Sequence, residues 1–283
     1  MDVQRIAAFS NGNEGGNPAG VVLLQEAMGE ADMARTAAEV GYSETAFAVQ
    51  QTDAGTTWRV RYFSPESEVP FCGHATIALG AALGRHHGPG TYGLVLNNAE
   101  ISVDVEAAGT GMRATLLSPP TKSDPLTDQE LASLLELFNL TSDDLDPLLA
   151  PARIHGGADH ALLPIKERST LAAMHYELDA GRSAMRQHGF VTVMLVYAAE
   201  DRTFVVRNAF ASGGVLEDPA TGAAAAAFAG YLRDKDWPHG GSFTIRQGED
   251  MGWPSLIEVS LDRTPGSPVR VTGGARWIDH AGD

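Results

Sequence analysis

The stretch HATIALGAALGRHH, residues 74–87, shows no polar face until its last three positions. A helix lying on a protein surface keeps its apolar residues to one stripe, so a helix that is apolar all round has to be surrounded. Here Ile77, Leu79 and Leu83 sit among Ala and Gly on every side. A second stretch, DPATGAAAAAFAGYLRD (residues 218–234), has the same property. The plentiful wrapping material is strand. TWRVRYF (57–63) alternates, and FVTVMLVYA (190–198) and TFVVRNAF (203–210) are rich in Val, Thr and Phe. The expected architecture is α+β, with two sheets each rolled around one apolar helix whose small residues permit close backbone approach.

The two helices sit in segments that echo each other. RYFSPESEVPFCGHATIALGAAL (61–83) and RNAFASGGVLEDPATGAAAAAFAGYL (207–232) both run from an Arg-led strand through a loop to an Ala-rich helix. SPPTKSDP (118–125), with three prolines in eight residues, is the expected linker. The expected domains are therefore 1–118, with strand 268–283 a candidate addition, and 126–265. Further strands are expected at VQRIAAF, VVLL, TAFAVQQ, YGLVLNN, EISVDVEA, MRATLLS, GSFTIRQG, SLIEVSLD and VRVTGGARWI, and one within PARIHGGADHALLPI. Helices are expected at MARTAAEV, capped by Asp32 and stopped at Gly41, and at TDQELASLLELF, STLAAMHYEL and AGRSAMRQHG.

Composition bounds the function. The chain has 283 residues, 43% apolar and 20% charged, which suits a folded protein of one large or two modest domains. A net charge of −16 argues against nucleic acid or an anionic membrane surface as partner, since both select a basic footprint. Cys72 is the one cysteine, so no disulfide framework can form within the chain and a reducing, cytoplasmic setting is expected. The opening MDVQRIAAFSNGNEGG lacks a signal peptide's apolar region, and no apolar run approaches the roughly 18 residues of a membrane span.

Chemistry concentrates where the two apolar helices begin. CGHAT carries Cys72, Gly73 and His74; EDPATG carries Glu217, Asp218, Pro219 and Gly222. A helix start presents unpaired N–H groups and partial positive charge, which suits a carboxylate or phosphate. In GYSETAF, Glu44 stands at the seam between a turn and an apolar strand, where an unpaired acid is costly. Facing a crevice it would be a general base; otherwise it would pair with Arg59 or Arg61. The bland readings are that Asp218 caps a helix with Pro219 at its first position, that His74 is a hydrogen-bonded structural histidine, and that Cys72 is a small buried residue. GNEGGNPAG lacks the spacing of a dinucleotide or phosphate loop, and HGGADH (155–160) has no second His or Cys cluster to make a metal site.

Taken together, GNPAGVVL, GYSETAF, YFSPESEVPFCGHAT, EDPATG and QGEDMGWPS, in this order, resemble the PhzF-like isomerases of phenazine-biosynthesis type, within the diaminopimelate-epimerase-like fold. The resemblance spans nearly the whole chain. It implies two pseudo-symmetric β-rolls, no metal and no organic cofactor, a small-molecule carboxylate substrate and a homodimer. It also implies that Glu44 is the proton-shuttling acid/base, with His74 and Asp218 completing and orienting the site. Gly73 and Gly222 would supply backbone donors, and Ala75, Thr221 and Ala223 would stand beside the substrate. Ala223 replaces a serine common in the family, and Trp253 an arginine, which puts the phenazine substrate itself in doubt. The implied reaction moves a proton between carbons, as in isomerisation of a dihydro-hydroxyanthranilate. Two alternatives stay open: an epimerase or racemase with two opposed bases, and a catalytically idle binding relative.

Overall fold

The computed structural model describes residues 2–51, 55–109 and 111–278. The chain forms two compact units, Met1–Leu117 with Thr272–Asp283, and Ser118–Val271. The first contains β1 (Gln4–Ser10), β2 (Asn17–Leu24), α1 (Glu30–Val40), β3 (Thr45–Gln50), β4 (Thr57–Phe63), β5 (Glu68–Val69), α2 (Gly73–His87), β6 (Gly90–Val95), β7 (Glu100–Ala108) and β8 (Gly111–Leu117). The second contains β9 (Lys122–Pro125), α3 (Asp128–Leu137), β10 (Ala152–His155), β11 (Asp159–Pro164), α4 (Arg168–Ala172), α5 (Leu178–His188), β12 (Thr192–Glu200), β13 (Thr203–Ala209), β14 (Glu217–Asp218), α6 (Gly222–Asp234), β15 (Ser242–Gln247) and β16 (Ser255–Ser260). The last strand, β17 (Arg270–Trp277), returns to the first unit through most of its length.

In the first unit the strands close on themselves. β1 and β2 are antiparallel, β2 and β3 parallel, β3 and β4 antiparallel, β4 and β6 parallel, and β6, β7 and β8 antiparallel in turn. β17 pairs with both β8 and β1, so β1, β2, β3, β4, β6, β7, β8 and β17 form a closed ring among the described residues. α2 runs inside it, packed against β1, β2, β3, β6, β7 and β8, with every residue from 73 to 84 buried. Only Arg85, His86 and His87 reach solvent. The helix fits because its glycines lack side chains: a Cβ on Gly80 would lie 2.7 Å from Val103 Cγ2 and 3.1 Å from Ala114 Cβ. Successive β4 residues divide the layers, as strand alternation requires. The Tyr62 hydroxyl lies 2.7 Å from Thr76 Oγ1 of α2, while Phe63 packs with Phe47, Val22 and Met33 of α1.

The second unit repeats the order. β10 and β11 are antiparallel, β11 and β12 parallel, β12 and β13 antiparallel, β13 and β15 parallel, and β15 and β16 antiparallel. β14 sits on the end of β13 as β5 sits on the end of β4. α6 packs against β9, β10, β11 and β16 and is buried from Ala224 to Arg233. α3 and α5 cover this sheet through a cluster that includes Leu134, Met185, Leu163 and Leu195. The architecture is α+β, two pseudo-symmetric β-rolls each holding a central apolar helix.

Several local expectations need correction. The Pro-rich stretch 118–125 is not plain linker: Lys122–Pro125 forms a strand antiparallel to β10, with its prolines before the strand or at its last position. Asp32 does not cap α1, which starts two residues earlier behind Gly29; Asp32 instead pairs with Arg35. Of STLAAMHYEL only residues up to Ala172 are helical. Asp218 is no N-cap either, because Glu217–Asp218 pairs with Asn208 and Ala209 of β13 and delays α6 to Gly222.

HGGADH proves to be the turn of the β10–β11 hairpin, and its two histidines differ. His155 Nδ1 lies 2.6 Å from Asp159, whereas His160 is buried with Nδ1 2.7 Å from the Thr192 hydroxyl and Nε2 without a partner. Burial pushes the His160 imidazole down to about 4. Its unfolded value is the higher one, so the unfolded chain takes up a proton first as pH falls. Stability is expected to be full above about pH 6.5 and to decline by on the order of 3 kcal/mol toward pH 4, with His160→Gln flattening that slope in urea melts.

Candidate functional site

Glu44 sits one residue before β3, and its carbonyl accepts a hydrogen bond from the Gly20 amide of β2 at 3.1 Å. The residue is thus fastened by its main chain at the strand seam. Its side chain turns away from the arginines named as alternatives. Arg61 is taken by Glu68 at 2.6 Å and Glu30 at 2.9 Å, and Arg59 donates to the Val95 carbonyl and to Asn97. The Arg61 bond holds the Glu68 carboxyl below the usual carboxylate range. Glu44 Oε2 instead lies 3.4 Å from His74 Nε2, with the two side chains 13% and 7% exposed.

His74 is the hub of this cluster. Its Nε2 also lies 3.4 Å from the Ser43 hydroxyl, and its Nδ1 lies 3.3 Å from Cys72 Sγ. Both ring nitrogens therefore have a partner that can take or give a proton. Cys72 is the last residue before α2, in an extended conformation, and no side chain caps the helix there. The amides of Gly73, His74 and Ala75 stand at this start, the place where a helix favours negative charge. Behind it the Thr76 hydroxyl and amide both donate to the Cys72 carbonyl, at 2.7 and 3.0 Å, which fixes the turn. Buried Tyr62 leans on that hydroxyl, and burial raises its phenol well above its ordinary value.

The second unit carries its own polar group at the start of α6. Thr221 precedes the helix, and its hydroxyl donates to the carboxylate of buried Asp218. Gln247, at the end of β15 and also buried, donates to the Asp218 carbonyl at 2.7 Å and to the Thr221 hydroxyl at 3.2 Å. The Thr221 amide donates back to the Gln247 carboxamide at 3.3 Å. Gly222 is buried in the first turn and Ala223 half-buried beside it. Glu44, His74, Gly73 and Ala75 thus come together in the first unit, and Asp218, Thr221, Gly222 and Ala223 in the second.

The two starts share a register. EVPFCG (68–73) and EDPATG (217–222) place glutamate, proline and glycine at identical spacing. In each, the glutamate is clamped by an arginine of the preceding strand, Arg61 to Glu68 and Arg207 to Glu217. Thr221 then holds the position of Cys72, and Ala223 that of His74. The halves are alike in framework and unlike in chemistry. Sequence reading missed Ser43, Gln247 and the Cys72–His74 contact; the E-x-P-x-x-G repeat and the C-x-H spacing at a helix start were available signals for the framework and for the contact.

Among the described residues, the carboxylate of Glu44, the thiol of Cys72 and the imidazole of His74 have ligand atoms within 4.8 Å of one another and are a donor set that could hold a divalent metal. No helix among the described residues is long and apolar enough to cross a membrane.

Comparison with known proteins agrees with this frame. The family model described as phenazine biosynthesis-like protein matches residues 6–281. An uncharacterized isomerase of Escherichia coli O157:H7 is 29% identical over 99% of this chain and 97% of its own length. The trans-2,3-dihydro-3-hydroxyanthranilate isomerase of Pseudomonas chlororaphis is 29% identical over 89% of this chain and 87% of its own. A PhzF-family phenazine biosynthesis protein of Bacillus anthracis superposes with a TM-score of 0.86 at 20% identity, covering 99% and 98% of the two chains. The chain belongs to the phenazine biosynthesis-like family and is an isomerase.

Proposed function

We propose that the protein isomerises a small carboxylate-bearing molecule by moving one proton between two of its carbons, without a cofactor, and that Glu44 carries that proton. The observation that supports this most is the Glu44–His74 contact at an uncapped helix start. Glu44 takes a C–H proton, the electron pair shifts to relocate a double bond, and the same carboxyl returns the proton to another carbon. His74 orients the carboxylate and shares the proton load with Ser43 and Cys72. The Gly73 and Ala75 amides balance negative charge on the substrate as it develops. Asp218, Thr221, Gly222 and Ala223 serve recognition, with Gln247 fixing Asp218 and Thr221 in place. A homodimer working in the cytoplasm belongs to the same reading.

A two-base epimerase is less well supported. The position equivalent to Cys72 holds Thr221, whose proton is already given to Asp218. Incubation in heavy water with trans-2,3-dihydro-3-hydroxyanthranilate and a panel of cyclic carboxylates, followed by NMR, separates the readings. Double-bond migration with at most one deuterium gained is expected. Exchange with inversion at a single carbon, or none with any molecule that binds, overturns the proposal. Because the metal-capable trio is here the proton machinery, dialysis against EDTA is expected to leave turnover unchanged; loss restored by zinc would reassign Glu44, Cys72 and His74 as ligands.

A further inference from the structure

The second unit holds a recess of about 270 Å³ at the far end of α6 from Asp218 and Thr221. Thirteen helical residues separate the ends, which is roughly 20 Å at 1.5 Å per residue. It is lined by Arg233, Asp236, Trp237, His239, Gly240 and Arg263, among others. The helix end itself makes little demand here. Asp236 adopts a left-handed conformation, its amide donates to the Arg233 carbonyl, and the Trp237 amide donates to the Leu232 carbonyl.

The side chains are unevenly charged. Arg233 is 6% exposed, yet the one carboxylate that pairs with it among the described residues, Asp262, is 3.8 Å away and largely in solvent. Its other partners, Ser267 and Thr121, are neutral, and its Nε has none. A buried guanidinium so placed lacks a full counter-charge. Arg263 has no acceptor among the described residues, and the Arg202 guanidinium reaches the Gly240 side of the recess. His239, also buried, accepts the Gly241 amide at Nδ1 over 2.9 Å, so a neutral ring carries its proton on Nε2 as a donor. Gly240 and Gly241 have positive φ and put no side chain in the way.

We infer that this recess binds a phosphate group, free or as a small phosphomonoester, through Arg233, Arg263 and His239. The ligand supplies the negative charge that Asp236 and Asp262 leave short. Burial, and then Arg263, Arg233 and Arg202, hold the His239 imidazole below its ordinary value, the environment an anion would relieve.

The test is calorimetric titration of the intact protein with inorganic phosphate and, separately, glycerol phosphate, at fixed ionic strength. One saturable site per chain is expected, weakened about tenfold by Arg263→Ala through loss of one charge-assisted contact. Arg263 is exposed, so that variant keeps its fold, which a thermal melt verifies. The His239 ring proton signals should move on binding and titrate at higher pH in the complex. Tighter binding of glycerol phosphate identifies an organic ligand; equal binding identifies phosphate itself. No saturable heat, or binding that Arg263→Ala leaves untouched with His239 signals unmoved, overturns the inference.

Discussion

Glu44→Gln is expected to lower turnover by about 10²- to 10⁴-fold, the usual contribution of a positioned general base, while melting like the parent protein. Gln keeps the size and planarity of the side chain and still reaches His74 Nε2, so the local packing survives. What it loses is the ability to accept a proton from carbon. If Glu44 acts only on the reacting proton, the loss falls on kcat and on kcat/KM together, with KM nearly constant. Deuterium incorporation from solvent is the direct reading. Exchange at the parent rate in Glu44→Gln would remove this residue as the base. A rise in KM alone would make it a binding group.

The second large effect concerns the buried helices. Gly80→Val is expected to destabilise the fold by about 3 kcal/mol, the upper part of the range for overpacked cores. The Cβ alone would meet Val103 at 2.7 Å and Ala114 at 3.1 Å, and the two added methyls have nowhere to go inside a closed roll. A helix surrounded on all sides cannot tilt away from the clash as a surface helix does. Val103→Ala removes the atoms in the way, so the double variant should recover part of the loss, read as a coupling energy in urea melts. Equal and additive losses would mean that the roll yields where the geometry says it cannot.

The rolled architecture was legible because its signal is compositional. A run such as residues 74–84, without a polar side, admits only burial, and strand-rich flanks supply the wrapping. β4 was readable to its ends because its pattern is periodic. The errors fell where local chemistry gave way to pairing. Asp218–Pro219 has every local mark of a helix start, yet Glu217, clamped by Arg207, and Asp218 are held in extended pairing with β13, and α6 begins only at Gly222. Lys122–Pro125 was obscured in the same manner, since only its partner β10, far along the chain, makes it a strand. Of the candidate site, Glu44 and His74 were nameable from motif, but their mutual contact was not. Gln247 carried no local signal at all, its role arising from the end of a strand reaching Asp218 and Thr221.

The fastening of Glu44 bears on stereochemistry. Its main chain is tied to β2 through Gly20, so if Glu44 shuttles the proton as proposed, only its side-chain torsions remain to carry the carboxyl group from one carbon to the next. In the proposed reaction such an arm sweeps a short arc and would not pass around a bound substrate. Proton removal and delivery would then occur on the same side of the molecule, and a product labelled at the new centre should be a single diastereomer.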